Sequence, residues 1–259
     1  MKITTLIENT AISQDFTAEH GLSLYIETAQ HHILFDMGQT DAYLENAEKL
    51  GVDLQKVGIA ILSHGHYDHS GGLKAFLALN DHARVYVSRH AFGAYYNGTE
   101  KYIGVDTALQ NEPRLITADD EMQLVPGFSL HSCNEHTPVE PLNPYGLNKL
   151  ESGTFLPDDF QHEHYLLIED EGKRVLVSGC SHKGILNIAS WFHPDVLIGG
   201  FHLMRQTDET ELLRTADALL NLPTRYITGH CTGAEQYAVL KNRMGDRLDD
   251  LSAGKVIEI

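Results

Sequence analysis

The chain has 259 residues, a formal charge of −17 at pH 7, 42% hydrophobic residues and 21% charged residues. That length and composition suit a single globular domain with a sizeable core. The acidic balance and the lack of any Lys/Arg cluster argue against a nucleic-acid partner. No segment reaches the roughly 20 apolar residues needed to cross a bilayer, which argues against a membrane role. The first residues, MKITTLIENTA, have no apolar stretch of signal-peptide type, so a cytoplasmic location is expected. Three cysteines, Cys133, Cys180 and Cys231, form no CxxC pair and no even framework, and sixteen histidines are the compositional oddity.

In chain order, the spacing predicts strands at 2–7, 22–28 and 32–36, each with the alternation of half-buried sheet. A helix is expected over 41–50, stopped by Gly51. The continuous apolar run 57–63 reads as a strand buried on both faces, followed by a helix over 73–79 and a strand at 84–88. From about 91 to 161, prolines at 113, 126, 138, 141, 144 and 157 predict a loop-rich insertion covering a site. Regular structure then returns. A hairpin is expected around Glu171–Lys173, with a helix beginning near His182 and a buried strand in DVLIGG. A helix over 208–220, a strand in TRYITG, a helix over 236–243 and a last strand in KVIEI complete the pattern. Strands alternating with helices in both halves predict a layered α/β domain spanning 1–259.

The segment SHGHYDHSGG, 63–72, carries the chemistry. His64 and His66 are two apart, so a turning or extended backbone can aim both imidazoles at one divalent cation. Asp68 and His69 lie beyond the bend and can serve a second ion. The glycines beside them permit tight turning. A buried strand enters this loop and a helix leaves it, which places the donors at a strand's C-terminal end, where open α/β sheets bind ligands. Four such residues in this spacing outweigh the reading of a merely polar turn.

The same segment resembles the HxHxDH signature of the metallo-β-lactamase superfamily, which includes glyoxalase II, class B β-lactamases and RNase Z. ILFDMG resembles that superfamily's strand ending in an aspartate, here Asp36, which typically buttresses the metal loop. SHGHYDHSGGL, SGCSHKGILN, IGGFHL and GHCTG together resemble one branch of metal-dependent hydrolases. That branch includes an archaeal dihydropterin–ribofuranosylaminobenzene 5′-phosphate synthase. The resemblance implies an αββα four-layer sandwich and a binuclear metal site. It implies metal ligation by His64, His66, Asp68, His69, Cys180 and His230, with a further histidine ahead of a hairpin. For that position His162 is favoured over His136 and His164. Cys180 stands where the superfamily usually has a bridging aspartate; a thiolate is a good zinc ligand.

Two divalent ions, with zinc the default and iron or manganese also acceptable to such donors, imply hydrolysis of a small-molecule ester, amide or phosphoester. Asp68 is the expected general acid/base. His202, after a buried strand, is the expected donor to a substrate oxyanion or the group that orients a ligand. His182 could act likewise, and His20 could reach the rim, though a turn role suits it better. Tyr95, Tyr96 and Tyr145 could line the pocket. Cys133, Cys231, His31 and His90 are read as ordinary core or turn residues. The alternatives are a synthase joining a pterin to an aminobenzene riboside phosphate, and a metal-binding sensor without turnover. No GxGxxG or GxxxxGK[ST] nucleotide motif occurs.

Overall fold

The computed structural model describes residues 1–259. The chain divides into two compact units, each assembled from separated stretches of sequence. The first comprises Met1–Ala118, Gly146–Asp158 and Ser252–Ile259; the second comprises Asp119–Tyr145 and Asp159–Leu251.

The first unit is built on a seven-stranded sheet. Its spatial order is Val256–Glu258, Lys2–Ile7, Ser23–Glu27, His32–Phe35, Ile59–Ile61, Arg84–Ser88 and Leu115–Ala118. The first three pairings are antiparallel and the last three parallel. Helices Ala42–Lys49 and Leu73–Leu79 close one face, burying Tyr43, Phe76 and Leu73 with Leu34, Leu62 and Val85. The parallel strand Ile59–Ile61 is buried along its whole length, and its neighbour His32–Phe35 from Ile33 onward, as continuous apolar runs require.

The second unit repeats this grammar. Its sheet runs Leu248–Asp250, Arg225–Thr228, Val196–Ile198, Lys173–Val177, Tyr165–Asp170, Phe128–His131 and Glu121–Val125. Three parallel pairings at one side give way to three antiparallel ones at the other. Helices Ile185–Phe192, Glu209–Leu220 and Ala234–Met244 cover it, around Tyr226, Phe201, Leu219 and Ile188. Asp208 caps the middle helix by accepting the Thr210 N–H at 2.9 Å.

The stretch 91–161 corrects the expectation of a loop-rich insertion. It carries seven strands, four of which form a small antiparallel sheet of Thr154–Pro157, Leu147–Glu151, Tyr95–Asn97 and Lys101–Tyr102. The prolines are compatible with this because they avoid central ladder positions. Pro126 sits in the turn between Glu121–Val125 and Phe128–His131, and Pro157 ends an edge strand. Pro113 lies in the turn ahead of Leu115–Ala118, and Pro138, Pro141 and Pro144 lie in irregular chain. The helix expected near His182 begins at Ile185, and the metal loop contains a helical turn, Tyr67–Ser70, that the spacing did not reveal. No helix is long and apolar enough to cross a membrane.

Candidate metal-binding clusters

In both units the predicted donors leave the C-terminal ends of the parallel strands. Asp36 follows His32–Phe35 and His64–His69 follow Ile59–Ile61 in the first unit. Cys180 follows Lys173–Val177, His202 follows Val196–Ile198, and His230 follows Arg225–Thr228 in the second. Asp36, Ser181, His202 and His230 all have positive φ, between 51° and 60°. Non-glycine residues in that region store strain, and such residues concentrate at functional sites.

The first unit brings together all four residues of the HxHxDH motif. The His64 ring centroid lies 4.6 Å from that of His66 and 4.2 Å from that of His69, and all three side chains are buried. Three imidazoles packed this closely have no apolar rationale, and their nitrogens are donor atoms of the kind that can hold a divalent ion. Gly65 and Gly72 permit the path, since a methyl group at either would collide with a backbone carbonyl, of Ala91 or of Met37.

Asp36 fixes this loop from below. Its Oδ1 accepts the Ser63 N–H at 2.7 Å, and its Oδ2 accepts the Ser63 hydroxyl at 2.7 Å and His69 Nδ1–H at 2.6 Å. Because Nδ1 carries the proton given to Asp36, Nε2 of His69 keeps its lone pair for a metal. This carboxylate–imidazole arrangement both orients a ligating histidine and raises its basicity. The Met37 N–H donates to the His69 carbonyl at 2.8 Å, clasping the same turn.

Asp68 Oδ2 lies 3.2 Å from His20 Nε2 and 3.9 Å from His69 Nε2. His20 is thus more than the turn residue expected: with its side chain 43% exposed, it connects a nearly buried carboxylate to solvent. A further carboxylate that sequence reasoning missed is Asp158, fully buried, with Oδ2 3.9 Å from His66 Nε2. Tyr95 packs edge-on against His66, its hydroxyl donating to the His90 carbonyl at 2.6 Å. Tyr96 is turned to Tyr102 and Phe155 instead.

The second unit holds the remaining predicted donors. His162 is fully buried in the turn before Tyr165–Asp170, and His164 is buried two residues on. His136 is exposed and lies edge-on to Trp191, so the histidine of the Asn-Glu-His-Thr-Pro run is a surface residue. His230 is buried in the 3₁₀ turn His230–Thr232, which is anchored by Thr232 Oγ1 against Thr228 Oγ1 at 2.6 Å. His182 stacks on Phe160 at 4.7 Å and 12°, and its ring lies 4.2 Å from that of His202. Tyr145 lies edge-on to His202 at 5.6 Å.

Cys231, expected to be an ordinary core cysteine, instead meets Cys180 and His202. One donor atom from each of these three residues lies within 4.8 Å of the other two. Both ring nitrogens of His202 are buried, and apart from the Cys231 sulfur they have no hydrogen-bond partner. Burial acts to raise the Cys231 thiol, but hydrogen bonding with Cys180 and His202 and the nearby His230 outweigh it and hold it well below the ordinary thiol range. Cys133 has no such company, and burial pushes it up to about 12. The pair Gly199–Gly200 makes the approach possible. A methyl group at Gly200 would strike Cys231 Sγ, and Gly199 has φ +138° with the Ser178 carbonyl against it. Gly200→Ala is therefore expected to lower stability by about 1–3 kcal/mol, the usual cost of overpacking, measured by urea unfolding.

Two buried charged side chains, Glu163 and Lys183, shape the loop that carries Cys180. Glu163 accepts the His182 and Lys183 N–H groups at 2.7 and 3.0 Å, and the Tyr165 hydroxyl at 2.6 Å. Lys183 donates from Nζ to the Ser132 carbonyl, to Asn134 Oδ1 and to the Glu163 carbonyl. Burial lowers the Lys183 pKa, and the Glu163 charge opposes that shift.

With this geometry in hand, the similarities to known proteins decide the family. The profile of the metallo-β-lactamase superfamily matches residues 16–144. The chain is also 30% identical, over all of its own length and 96% of the relative's, to the 7,8-dihydropterin-6-methyl-4-(β-D-ribofuranosyl)-aminobenzene-5′-phosphate synthase of Methanocaldococcus jannaschii. The chain belongs to the metallo-β-lactamase superfamily. An uncharacterized protein of the same archaeon is 32% identical over 89% of the chain and 90% of the relative. A solved structure described as a metal-dependent hydrolase of the β-lactamase superfamily is similar at 29% identity with TM-score 0.83, covering 100% of this chain and 99% of that one. Zn²⁺-bound PqqB from Methylobacterium extorquens, at 11% identity and TM-score 0.60 over the whole of both chains, shares the fold. The α/β class expected from the sequence, the metallo-β-lactamase fold, is therefore that of this chain. The superfamily typically binds metal ions, and the chain's clustered imidazoles, carboxylates and thiols are donors suited to them.

Proposed function

We propose that this protein is a metal-dependent hydrolase of a small-molecule ester, amide or phosphoester. The observation that carries the reading is the buried His64–His66–His69 cluster with Asp36 directing the His69 lone pair. The ligand assignment implied by the motif order is His64, His66, Asp68, His69, His162, Cys180 and His230, serving two divalent ions, zinc by default. When bound, such ions acidify water and polarise a carbonyl or phosphoryl oxygen.

The chain's own residues supply the rest. Asp36 and Ser63 hold the imidazoles in register before any substrate arrives, so little reorganisation is left to the reaction. Asp68 accepts a proton in the reaction and can pass it to His20, whose exposed ring exchanges it with solvent. His202 is the proposed donor to developing negative charge. It lines a cavity of about 190 Å³ with His182, Tyr145, Phe201, Asn187 and Arg214. A small molecule, rather than a nucleic acid or a membrane, is the proposed partner, in keeping with the charge of −17.

The test is turnover of p-nitrophenyl esters, anilides and bis(p-nitrophenyl) phosphate by protein reconstituted with Zn²⁺, Mn²⁺ or Fe²⁺. Activity is expected to require metal and to vanish with chelator. Asp68→Asn should lower kcat about 10²–10⁴-fold, the usual contribution of a positioned acid/base. A second reading is favoured by the 30% identity to the synthase across the whole chain. Metal-loaded protein that hydrolyses none of these substrates, yet forms the phosphorylated dihydropterin product from its two halves, would establish that reading instead.

A further inference from the structure

The second unit contains three metal-type donors that the motif order does not explain as a set. Cys180, His202 and Cys231 come from three different strand ends, after Lys173–Val177, Val196–Ile198 and Arg225–Thr228. The two thiols are almost fully buried, and one donor atom of each residue lies within 4.8 Å of the others. Tetrahedral zinc with two sulfurs and one nitrogen needs its ligands about 3.3–3.8 Å apart. The trio is therefore within about an ångström of ligating geometry, a shift that side-chain rotation can supply.

Other details are oriented to the same end. Gly200 N–H donates to the Gly179 carbonyl at 2.8 Å, and the Cys231 thiol lies 3.4 Å from the Cys180 carbonyl, so the three loops are tied together by one backbone hydrogen bond and one from a thiol. The absence of a side chain at Gly200 is what leaves room for Cys231 Sγ. His202 is held at φ +52° with both ring nitrogens buried and no oxygen or nitrogen partner, a costly arrangement unless something satisfies them. An apolar residue would serve that position better if packing were the whole purpose.

We infer that Cys180, Cys231 and His202 form a thiolate-rich site for one soft or borderline divalent ion, zinc in the first instance, contained within the second unit. The inference deepens the proposed function by giving Cys180 two ligand partners in its own unit. Binding is a simple exchange: both sulfurs bind as thiolates, any proton still held on either leaving to solvent, and the second nitrogen of His202, as N–H, remains a donor to the cavity it lines. Three protein ligands leave the fourth position for water or a small ligand, as in catalytic rather than structural zinc sites.

The experiment is Co²⁺ titration of the metal-stripped full-length protein, read by sulfur-to-cobalt charge-transfer absorption and by elemental analysis. Wild type is expected to show the intensity of two thiolates. Cys180→Ser and Cys231→Ser should each remove about half of it, and His202→Ala should weaken this Co²⁺ site about 10-fold or more while keeping the band. His69→Ala should leave the band in place while losing a different equivalent of metal. Because a cysteine variant can misfold, wild type is also alkylated with and without Zn²⁺; Zn²⁺ should protect Cys180 and Cys231 together and leave Cys133 unaffected. A band unchanged in Cys231→Ser, or no protection of Cys231, would overturn the inference. So would a Cys180–Cys231 disulfide in protein that takes up Co²⁺ only at the His64–His69 loop, an outcome that leaves the proposed hydrolase standing. Loss of all Co²⁺ in His69→Ala would overturn it too. Retention of the band in a protein without hydrolytic activity would sink the proposed function while sparing this site.

Discussion

Replacing Asp36 with alanine is expected to lower the affinity of the His64–His69 loop for zinc about 10–100-fold and to destabilise the protein by ~3 kcal/mol. The reasoning is local. Asp36 is fully buried and receives three hydrogen bonds, from the Ser63 backbone, the Ser63 hydroxyl and His69 Nδ1. Alanine leaves a buried N–H and a buried imidazole N–H without their acceptor. His69 is then free to change tautomer or rotate, and Nε2 is no longer held ready for a metal. Asp36→Asn separates the two effects. Its amide oxygen can still accept the Ser63 N–H, so most stability returns, but its NH₂ cannot accept from His69. Isothermal zinc titration and urea unfolding of the three proteins are the measurements. An Asp36→Asn protein with wild-type zinc affinity would show that His69 is not oriented by this carboxylate.

The second large effect is expected at Glu163. Glu163→Ala should cost about 3–5 kcal/mol, because three buried donors lose their acceptor, each left unsatisfied at roughly 1–3 kcal/mol, and a nearby buried ammonium loses the charge that favours it. Two backbone N–H groups, at His182 and Lys183, and the Tyr165 hydroxyl lose their acceptor at once. The Lys183 ammonium, already disfavoured by burial, would be left with carbonyl and amide oxygens alone. Since that segment also carries Cys180, metal uptake by the thiols is expected to fall with stability. Glu163→Leu combined with Lys183→Met should recover a substantial part of the lost stability, because it removes the uncompensated charge along with its partner. Chemical denaturation of the single and double variants gives the coupling directly. A Glu163→Ala protein as stable as wild type would mean that water replaces the lost carboxylate oxygens and that Lys183 does not depend on the Glu163 charge.

Both residues show how function and fold were distributed between sequence and structure. Asp36 announces itself, because ILFDMG ends an apolar strand on a carboxylate just upstream of a histidine-rich loop. Glu163 does not. It stands in HEHYL between two histidines that draw the eye, and nothing in the spacing says that its acceptor oxygens turn back to residues 182 and 183. Similarly, Asp158 follows a proline-bearing edge strand that reads as loop, and its approach to His66 joins positions 92 residues apart in sequence.

What the sequence determined by itself was everything encoded at short range. The apolar runs that become parallel strands, the caps and stops of the helices, and the HxHxDH loop are all local patterns. Each depends on periods of two or 3.6 residues, or on a ligand spacing of two to five. That was enough for the α/β class, for the segments that resemble the superfamily, and for the candidate donors His64, His66, Asp68 and His69. The tertiary structure alone decided what depends on strands meeting side by side. Parallel pairing of Lys173–Val177, Val196–Ile198 and Arg225–Thr228 brings Cys180, His202 and Cys231 to one place, although 51 residues separate the two cysteines. No local period reports such a meeting, since the order of strands in a sheet is set by crossover connections and core packing rather than by any one segment. The same holds for His20 beside Asp68, and for the strands of 91–161. There proline content suggested loops, but pairing partners up to 50 residues away made sheet the stable state of that chain.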